Sequence, residues 1–526
     1  MKNYTVFILL MLFALTSCKR EKAFWTSDWQ VPLINDSLTL TNLVQDSILT
    51  MTSSSYELDF HKTVFELRLS DFVHIPDTTV YHSYALGLPS FNVPAGASFV
   101  NDIQEHEIDM GDIQLKKIRV KEGGILLTVK NPIAAKMFFT VQIPGATKNG
   151  LLLSKNLETP AGTLANPYVT STFVDLAGYD IDLRGETLIS YNKIQTKLQV
   201  MTDPNGSAVT ITNLDSLRFV AEMNNIKLDY ARGYFGNTIY SDTIVETIDA
   251  LNSIQSGMLD FDAASLGLEI ENGLKVPGKF KIISLKSINT EGNSISLNHS
   301  VIDNWTNLSA AIGTELSLIP FTTLLNFNGS NSNLEQLLEN HGGTNEIAYQ
   351  IQLNPWGNTS GGWDEVFDAH PLKVNLSANM PLNIGLSDLI IQDTFDFSLK
   401  QNIEKTHVKS GSIWLNCTNA FPLQGLITLS LLDDNNTFLG SITSTGEVLS
   451  SEFGSIINGI KQKSSSIQFM VPESLVGQLD YTKKMVVKLK LNTPDGITGT
   501  STKLPIPANA FFKFKLGAKF VLENRI

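Results

Sequence analysis

A period-two alternation of apolar and polar residues is the feature that most constrains the fold of this chain. Apolar side chains occupy every second position from Ile125 to Val129, and again from Met137 to Ile143. Successive side chains of a strand point to opposite faces of a sheet, so each run predicts a strand with one buried face. Helical periodicity is rare by comparison. We therefore predict a mainly β chain built from antiparallel sheets.

Asparagine and proline end four of the predicted strands. Asn closes a turn with its own side chain, whereas Pro fixes φ and cannot extend a central ladder. The four units contain Asn131-Pro132, Asn272 to Pro277, Asn354-Pro355 and Asn419 to Pro422. One β-sandwich-like plan reused along the chain would give this pattern, although Asn and Pro also punctuate β proteins without repeats. The predicted fold is a multi-domain, elongated array of antiparallel β-sandwich-like domains.

The first residues are typical of a signal peptide. Lys2 precedes an apolar run from Val6 to Leu15, and Thr16 and Ser17 lead into Cys18. The run is shorter than the roughly 20 apolar residues that a membrane-spanning helix needs. The tetrad ending at Cys18 resembles the lipobox of bacterial lipoproteins, which implies a diacylglycerol on the sulfur and a further acyl chain, such as palmitate, on the freed amine. We expect cleavage before Cys18 and membrane attachment through these chains; the alternative is a signal peptide that is not lipidated.

Composition limits the classes of partner. The net charge is −13, only 17% of residues are charged, and no basic patch is visible. Nucleic acid and an anionic lipid surface are therefore excluded as partners of the polypeptide itself, because both require clustered cations. Hydrophobic residues make up 42%, which indicates folded cores. Cys417 is the other cysteine, and its strand pattern predicts a buried, inert thiol without a disulfide.

Turn-rich stretches divide the chain into predicted regions, with short helices as crossovers or lids, most of them in the middle region. The regions are a signal peptide at 1–17, the lipidated Cys18 and a tether at 18–30, an N-terminal β region at 31–120 that could pair with later strands, a β-sandwich-like domain at 121–201, a β domain with short helices at 202–399, and a C-terminal β-sandwich-like domain at 400–526. The predicted helices span Val245 to Ile254, Asn333 to Asn340 and Phe453 to Lys461.

Several short sequence segments in the first half of the mature chain resemble those of a known family. They are Val31-Pro32-Leu33 with Ser37-Leu38-Thr39-Leu40, Ile143 to Gly150, Asp175 to Leu183, and Tyr230 to Gly236. Together they resemble an uncharacterised family of Bacteroidetes outer-membrane lipoproteins, which implies a location more than an activity. The strand-Asn-Pro-strand units alone are also similar to the β-sandwich of late-embryogenesis-abundant type 2 proteins and to tubular lipid-binding modules.

The resemblance to envelope lipoproteins has two further implications. Surface-displayed members often carry an acidic stretch after the lipidated Cys, whereas Lys19 to Lys22 holds one acid among three bases. Retention on the periplasmic face of the outer membrane is therefore favoured over display at the cell surface. Such bacteria also O-glycosylate Ser or Thr after Asp, although Asp-Ser is ordinary turn chemistry as well. The candidate sites are Ser37, Ser47, Thr78, Ser216 and Thr243.

No catalytic motif is evident in the sequence. A phosphate-binding loop, a nucleophile elbow and a paired-histidine metal motif are all missing, so we expect no cofactor, no metal and no enzymatic activity. One loop, from Trp363 to His370, combines acids and aromatics as carbohydrate sites often do. Its candidate glycan contacts are Trp363, Asp364, Glu365 and Asp368. A glycosidase would need two carboxyls across a cleft; the alternative is a solvated loop at a domain edge.

Three functions are compatible with these features. The first, favoured by the lack of a catalytic constellation, is a non-enzymatic binding or assembly component of the cell envelope with an envelope protein as partner. The second is a carrier of lipid or another apolar ligand, which predicts a long apolar cavity between Thr202 and Leu399. The third is a glycan-binding or carbohydrate-active protein that uses the Trp363 loop.

Overall fold

The computed structural model describes residues 24–39, 49–51, 55–84, 89–247, 254–261, 263–396, 406–479, 481–494 and 502–525. Strands predominate in these ranges and the α-helices are short. The prediction of a mainly β fold is confirmed. The signal peptide, Cys18 and Ser47 lie outside the described residues, so their predicted roles stay predictions.

The strands follow one another closely along the chain. In its first part they are β1 Phe24–Thr39, β2 Leu49–Met51, β3 Tyr56–Leu67, β4 Thr78–Tyr84, β5 Ser90–Val93, β6 Ser98–Glu107, β7 Gln114–Asn131, β8 Met137–Lys148, β9 Leu151–Thr159, β10 Tyr168–Asp175, β11 Asp180–Asp182 and β12 Lys193–Thr202. In the middle they are β13 Val209–Thr212, β14 Leu217–Tyr234, β15 Ile239–Thr247, β16 Ile254–Phe261, β17 Ser265–Asn272, β18 Gly278–Ile288, β19 Ser294–Ser296, β20 Thr306–Leu308, β21 Phe321–Asn328, β22 Thr344–Leu353, β23 Asp364–Phe367, β24 Leu372–Pro381 and β25 Asn383–Asp396. In the last part they are β26 Thr406–Asn419, β27 Gln424–Leu432, β28 Phe438–Thr443, β29 Ser455–Ile457, β30 Ile460–Met470, β31 Lys484–Asn492, β32 Leu504–Pro505 and β33 Phe511–Arg525.

The described α-helices are α1 at Leu69–Phe72, α2 at Leu334–Glu339 and α3 at Glu473–Val476, and short 3-10 helices lie at Glu315–Ser317 and Ser451–Phe453. The predicted helix at Asn333 to Asn340 is confirmed as α2, whose Leu334 and Leu337 are buried. The other two helix predictions are wrong within the described residues. Residues 245–247 and 254 belong to β15 and β16, and residues 453–461 hold the β29–β30 hairpin. Cross-strand pairing with β22, β25 and β30 overrides the weak local helical pattern there.

Antiparallel pairing assembles these strands into several sheets. The largest sheet has the order β23-β14-β7-β11-β8-β12-β6, with β10 on β7, β4 on β14 and β9 on β8. Two five-stranded sheets follow in the middle of the chain, β15-β22-β18-β19 with β20 on β18, and β2-β3-β24-β17-β21. The last two are β16-β25-β31-β27-β28 with β32 on β25, and β1-β33-β26-β30-β29, while β13 pairs with β5.

Besides two small apolar clusters around Leu386 and Leu382, two large and separate apolar cores fill most of the space between the sheets. One extends from Leu67 to Val374 and includes the alternating residues of β7 and β8, so the predicted buried faces of those strands are confirmed. The other lies between Ile413 and Phe520 and packs two sheets face to face. Cys417 belongs to this second core, and burial raises the pKa of its thiol to about 11. A buried, inert thiol is therefore what the structure contains.

Three of the four asparagine units share one arrangement, which we call the asparagine lock. Asn131 Oδ1 accepts the Ile133 N–H at 2.9 Å, while Asn131 Nδ2 donates to the carbonyls of Ala135 at 3.0 Å and Pro160 at 2.8 Å. The equivalent bonds join Asn272 to Leu274, Val276 and Ser309, and Asn419 to Phe421, Leu423 and Leu449. All three Asn side chains are buried. One local structure is thus used three times along the chain.

Strands and sheets cross several of the predicted regional boundaries. β7 runs through residues 120 and 121, and β12 runs through residues 201 and 202. β1 begins at Phe24, inside the predicted tether, and pairs along its length with β33. β3, from the predicted N-terminal region, pairs with β24. The division into six regions stays a prediction, since sheets draw strands from both sides of its boundaries.

Candidate functional site

The Trp363 side chain is presented to solvent by a glycine turn. Gly361 and Gly362 both have positive φ, at 66° and 78°, which a residue with a Cβ rarely adopts. The Gly362 N–H donates to Asn358 Oδ1 at 2.6 Å, and Lys116 Nζ donates to the Gly361 carbonyl at 2.7 Å. Trp363 is 54% exposed. The turn therefore holds the indole outward in a defined position.

Two cations lie against this indole. Lys116 Nζ is 4.6 Å from the ring centroid, and the Arg232 guanidinium carbon is 5.6 Å from it. Lys116 reaches the ring from a β-bulge, because β7 and β14 shift register between the Arg232 and Gly233 pairs. A bulge redirects the side chain of its extra residue, so Lys116 departs from the regular alternation of β7. We call Trp363, Lys116 and Arg232 the Trp363 platform.

Glu365, two residues further, is clamped by three donors. Tyr230 Oη donates to Glu365 Oε1 at 2.7 Å, Arg232 Nε donates to the same oxygen at 3.0 Å, and Lys275 Nζ donates to Oε2. Burial by itself raises the pKa of Glu365, but the hydrogen bonds from Lys275, Arg232 and Tyr230 outweigh it and lower the pKa to about 2. Glu365 is therefore a permanently ionised structural anion at neutral pH.

Sheet register explains why these groups meet. In β14, Arg232 lies opposite Lys117 of β7 on one side and Glu365 of β23 on the other. Directly opposite residues of an antiparallel pair project from the same face. Lys275 comes from the loop of the second asparagine lock. Its backbone N–H donates to the Glu365 carbonyl at 3.0 Å. The cluster thus joins the largest sheet to the segment that leads into β18.

Arg119 forms a second ionic cluster beside the first. Its Nε donates to Asp229 Oδ1 at 2.9 Å, and its terminal nitrogens donate to both carboxylate oxygens of Glu315. Hydrogen bonds from Arg119 to Glu315 and Asp229 raise the pKa of Arg119 despite its partial burial. Glu315 begins a short 3-10 helix, Glu315–Ser317, between β20 and β21, so this bidentate contact fixes that segment on the sheet.

The other two predicted carboxylates also face inward. Asp364 is buried, and burial raises its pKa, an effect that the neighbouring Ser360 and Asn354 partly offset. Asp368 Oδ2 accepts a hydrogen bond from Lys121 Nζ at 2.9 Å. Of the four predicted glycan contacts, Trp363 is therefore the one whose side chain is largely exposed, while Asp364, Glu365 and Asp368 make contacts within the protein.

A second exposed surface was not singled out from the sequence. Lys279 Nζ lies 5.2 Å from the Trp356 ring centroid, and Lys281 Nζ lies 5.2 Å from that of Trp305. Both indoles are exposed, at 52% and 37%. Lys281 also pairs with Asp303 at 3.1 Å. The two lysines share the outer face of β18, because the alternate residues Phe280 and Ile282 are buried on its other face.

Polar residues extend this surface across the neighbouring strands. Lys279 lies opposite Asn307 of β20 and Gln352 of β22, and Lys281 lies opposite Gln350. We call the set Trp305, Trp356, Lys279, Lys281, Asn307, Gln350 and Gln352 the tryptophan–lysine face. Its indoles, amides and ammonium groups combine stacking platforms with hydrogen-bond donors and acceptors.

The Trp363 platform and the tryptophan–lysine face are anchored to the same segment. The loop that carries Trp356 and Trp363 starts at Asn354, whose N–H donates to the Pro277 carbonyl at 2.9 Å. Its other end reaches Glu365, which Lys275 holds. Residues 275–277 lead directly into Lys279 and Lys281 of β18. The alternation Lys279-Phe280-Lys281-Ile282 in the sequence predicts that the two lysines share one face of β18. It does not predict that the loops carrying Trp305 and Trp356 come together at these lysines.

The described O-glycosylation candidates differ in accessibility. Ser37 and Thr243 are exposed on β1 and β15. Thr78 is half-buried and its hydroxyl donates to the Pro76 carbonyl at 3.0 Å, while the half-buried Ser216 hydroxyl lies 2.5 Å from that of Ser83. Modification of these residues stays a prediction, and Ser37 and Thr243 are the accessible ones.

Two cavities stand out among the described residues. One, of about 810 Å³, is lined by polar residues of β1, β26, β30 and β33, including Asn35, Ser37 and Thr418. The other, of about 460 Å³, lies around Tyr84, Asp102 and Leu217. Most of the buried apolar side chains between residues 202 and 374 belong to the first core. Neither cavity is the long apolar tube that the carrier hypothesis expects in the middle region.

No helix in the described part of the chain is long and apolar enough to cross a bilayer. Within those residues, no group of three or more His, Cys, Asp or Glu side chains is placed to hold a metal ion.

Comparison with known proteins assigns no family. No protein-family model matches the sequence, and no curated protein matches it. Among solved structures, a presumed secreted protein of Parabacteroides distasonis aligns over 94% of this chain and 99% of its own, at 9% identity and a TM-score of 0.26. The subviral particle protein of infectious bursal disease virus aligns over 86% of this chain and 81% of its own, at 9% identity and a TM-score of 0.11. Neither likeness carries an inference about fold or function.

Proposed function

We propose that this protein is a non-enzymatic glycan-binding lipoprotein of the bacterial envelope. Acyl chains on Cys18 attach it to the outer membrane, with the periplasmic face favoured. The ligand lies across the Trp363 platform and the tryptophan–lysine face. The protein thereby holds a glycan of the envelope or its surroundings close to the membrane.

The observation that supports this proposal is the set of three exposed tryptophans that two loops bring to one segment of the structure. Trp305, Trp356 and Trp363 each pack beside a lysine and leave a large part of the indole open. The face of an aromatic ring carries partial negative charge, so it attracts the polarised C–H groups on one side of a sugar ring. Neighbouring amides such as Gln350 and Gln352 suit sugar hydroxyls.

The state of the carboxylates favours binding over turnover. A general acid needs a proton to donate near neutral pH, whereas Glu365 is ionised and held by three donors. Asp364 is buried against Ser360 and Asn354, away from solvent. We therefore expect the loop to support a binding surface and not to cleave glycosidic bonds.

The proposal is tested by substituting the platform itself. Mature, detergent-solubilised protein is applied to an array of bacterial and plant polysaccharides, and Trp363→Ala and Trp356→Ala are compared with it. We expect each variant to lose about threefold to tenfold in affinity, the order of one aromatic contact. Phe438→Ala removes an aromatic side chain that is 61% exposed on β28 and serves as the matched control.

Two results would contradict glycan binding. The first is a correctly folded protein that retains no polysaccharide on the array. The second is a bound polysaccharide whose affinity is the same for wild type, Trp363→Ala and Trp356→Ala. In the second case the ligand contacts another surface, and the tryptophans are structural.

A second candidate function, docking to an envelope protein, is favoured by one exposed loop tip. Leu316 is 99% exposed, and Ile312 and Ile319 beside it are 64% and 61% exposed. Backbone hydrogen bonds between Ile312 and Ile319, at 3.0 and 2.8 Å, close the loop, and Arg119 holds Glu315. A photo-crosslinker at position 316 should give one defined adduct in intact cells, whereas the same group at position 438 should give none; equal labelling from both positions excludes this docking mode.

A further inference from the structure

We infer that the tryptophan–lysine face selects anionic glycans, whose carboxylate or sulfate groups lie against Lys279 and Lys281 while their sugar rings stack on Trp356 and Trp305. This inference rests on the proposed function and names the ligand class of the same surface. It depends on the local charge, on the spacing of the ammonium groups and on their position beside the indoles.

The local charge is opposite to that of the whole chain. The protein carries a net charge of −13. Two rows across the sheet nevertheless contain two lysines and no acid: Asn307, Lys279, Gln352 and Ile239 form one, and Lys281, Gln350 and Ser241 form the other. Asp303 pairs with Lys281 at 3.1 Å, and the Lys281 side chain is 17% exposed, so the charge of Lys279 remains in excess. Lys279 makes no ion pair with any described residue, so its charge is available to a ligand.

The geometry places a cation over each indole. Each ammonium nitrogen lies 5.2 Å from the ring centroid. A sugar ring stacked on the remaining exposed part of that indole brings its substituents within reach of the ammonium group, where a charge-assisted hydrogen bond can form. Lys279 and Lys281 are two residues apart on one strand, so they lie roughly 7 Å apart. One oligosaccharide can therefore contact both.

A purely structural role for these lysines makes a different prediction. Lysines over exposed indoles can simply stabilise the two loops through cation–π contacts of about 0.5–1 kcal/mol. Removal of the charge would then lower stability slightly and would affect neutral and anionic ligands alike. Selectivity between those ligands is the property that a structural role does not produce.

The experiment measures calorimetric affinities of the mature protein for three oligosaccharides of equal length: oligogalacturonate, which is carboxylated, a carrageenan fragment, which is sulfated, and a maltooligosaccharide, which is neutral. We expect at least one anionic probe to bind about tenfold more tightly than the neutral one. That preference should shrink as salt is added, since exposed charges are screened.

Variants assign the preference to the face. Lys279→Gln should reduce affinity for the preferred anionic probe about tenfold, a larger loss than for the neutral probe, whereas Lys279→Arg should retain the preference. Trp356→Ala should weaken all probes that bind. Lys488→Gln, which changes an exposed lysine of β31, is the charge-matched control.

The outcomes separate this inference from the proposed function. Equal affinity for neutral and anionic probes overturns the inference, and so does an anionic preference that Lys279→Gln leaves intact. In either case the proposed glycan binding stands if Trp356→Ala weakens the binding of those probes. Failure of every probe to bind overturns both. The carboxylated and sulfated probes together show which anion the face prefers.

Discussion

At the scale of single residues, ionic contacts at Glu365 link the site to stability. The Glu365 side chain is 14% exposed and accepts hydrogen bonds from Tyr230, Arg232 and Lys275. Its pKa is lowered from 4.5 to about 2. A carboxylate with a lowered native pKa contributes stability that is fully present above the unfolded-state value and is lost as pH falls toward the native value.

We expect Glu365→Gln to lower the free energy of unfolding at neutral pH by about 1–3 kcal/mol, because Lys275 and Arg232 lose their counter-ion. The variant should also lose less stability than wild type between pH 4.5 and 2. Urea unfolding across this pH range measures both effects. Glu158→Gln, which removes an exposed partner of Lys136, should change stability by no more than about 1 kcal/mol; a Glu365 variant as mild as this control would show that the clamp contributes little.

A pair of histidines gives a second residue-scale prediction. His82 on β4 and His106 on β6 have ring centroids 5.0 Å apart. Burial lowers the pKa of both, the charge of Asp102 partly offsets this at His82, and His82 further lowers the pKa of His106. Tyr84 stacks beside His82 and donates to Asp102 at 3.0 Å. The unfolded chain therefore binds more protons than the folded one as pH falls.

Stability should accordingly be complete above the ordinary histidine pKa of 6.5 and should decrease as pH falls below it. His82→Phe keeps an aromatic ring of similar size beside Phe219 and removes one titrating group. We expect this variant to show a weaker decrease in melting temperature between about pH 7 and 5. A pH profile identical to that of wild type would mean that His82 titrates normally in the folded protein.

At the scale of elements, the asparagine lock explains how three loops take the same shape. Each buried Asn satisfies one backbone donor two residues on and two carbonyls further along the chain. Buried backbone groups need such partners where a strand ends. The lock at Asn272 also shapes the loop of Lys275, so it connects the repeated element to the Glu365 cluster.

Removal of one lock should have a local effect. Asn419→Ala leaves buried polar groups unpaired and should lower the stability of the second core by about 2–4 kcal/mol. Hydrogen exchange should then increase in β26 and β27 and stay unchanged in β7 and β8, since the two cores are separate. Asn205→Ala, in an exposed turn, is the control. A uniform rise in exchange along the chain would show that the cores unfold as one unit.

At the scale of the whole molecule, pairing of β1 with β33 brings the two ends of the described chain together. The register runs from Phe24 opposite Arg525 to Thr39 opposite Phe511. Cys18 precedes this strand closely in sequence. If Cys18 is lipidated, the five-stranded sheet that contains β1 and β33 is therefore the part of the protein held nearest to the bilayer.

Substitution of Cys18 by Ser should move the protein from the membrane fraction to the soluble fraction, because acyl chains supply the membrane affinity. Cys417→Ser, which changes the buried thiol alone, should remain with the membrane. Fractionation followed by mass spectrometry of the mature N-terminus measures both. A Cys18 variant that stays membrane-bound would require another mode of attachment.

The sequence by itself determined the elements that depend on neighbouring residues. Alternation between Ile125 and Ile143 predicted the buried faces of β7 and β8, and the Asn-Pro pattern marked the loops of the three locks. These features could be predicted because side-chain direction and turn chemistry are local properties. The helix at residues 453–461 was predicted wrongly because its local pattern was weak. Pairing of β29 with β30, which that pattern does not contain, decided the structure there.

Only the tertiary structure decided which side chains meet. Asp364, Glu365 and Asp368 resemble a carbohydrate motif in sequence, yet Asp364 is buried, and Arg232 and Lys121 from other strands hold Glu365 and Asp368. The tryptophan–lysine face likewise unites two loops with β18. Sheet register and long-range strand pairing set the distances between these side chains. Because register and pairing depend on the whole chain, no short segment of sequence specifies the distances.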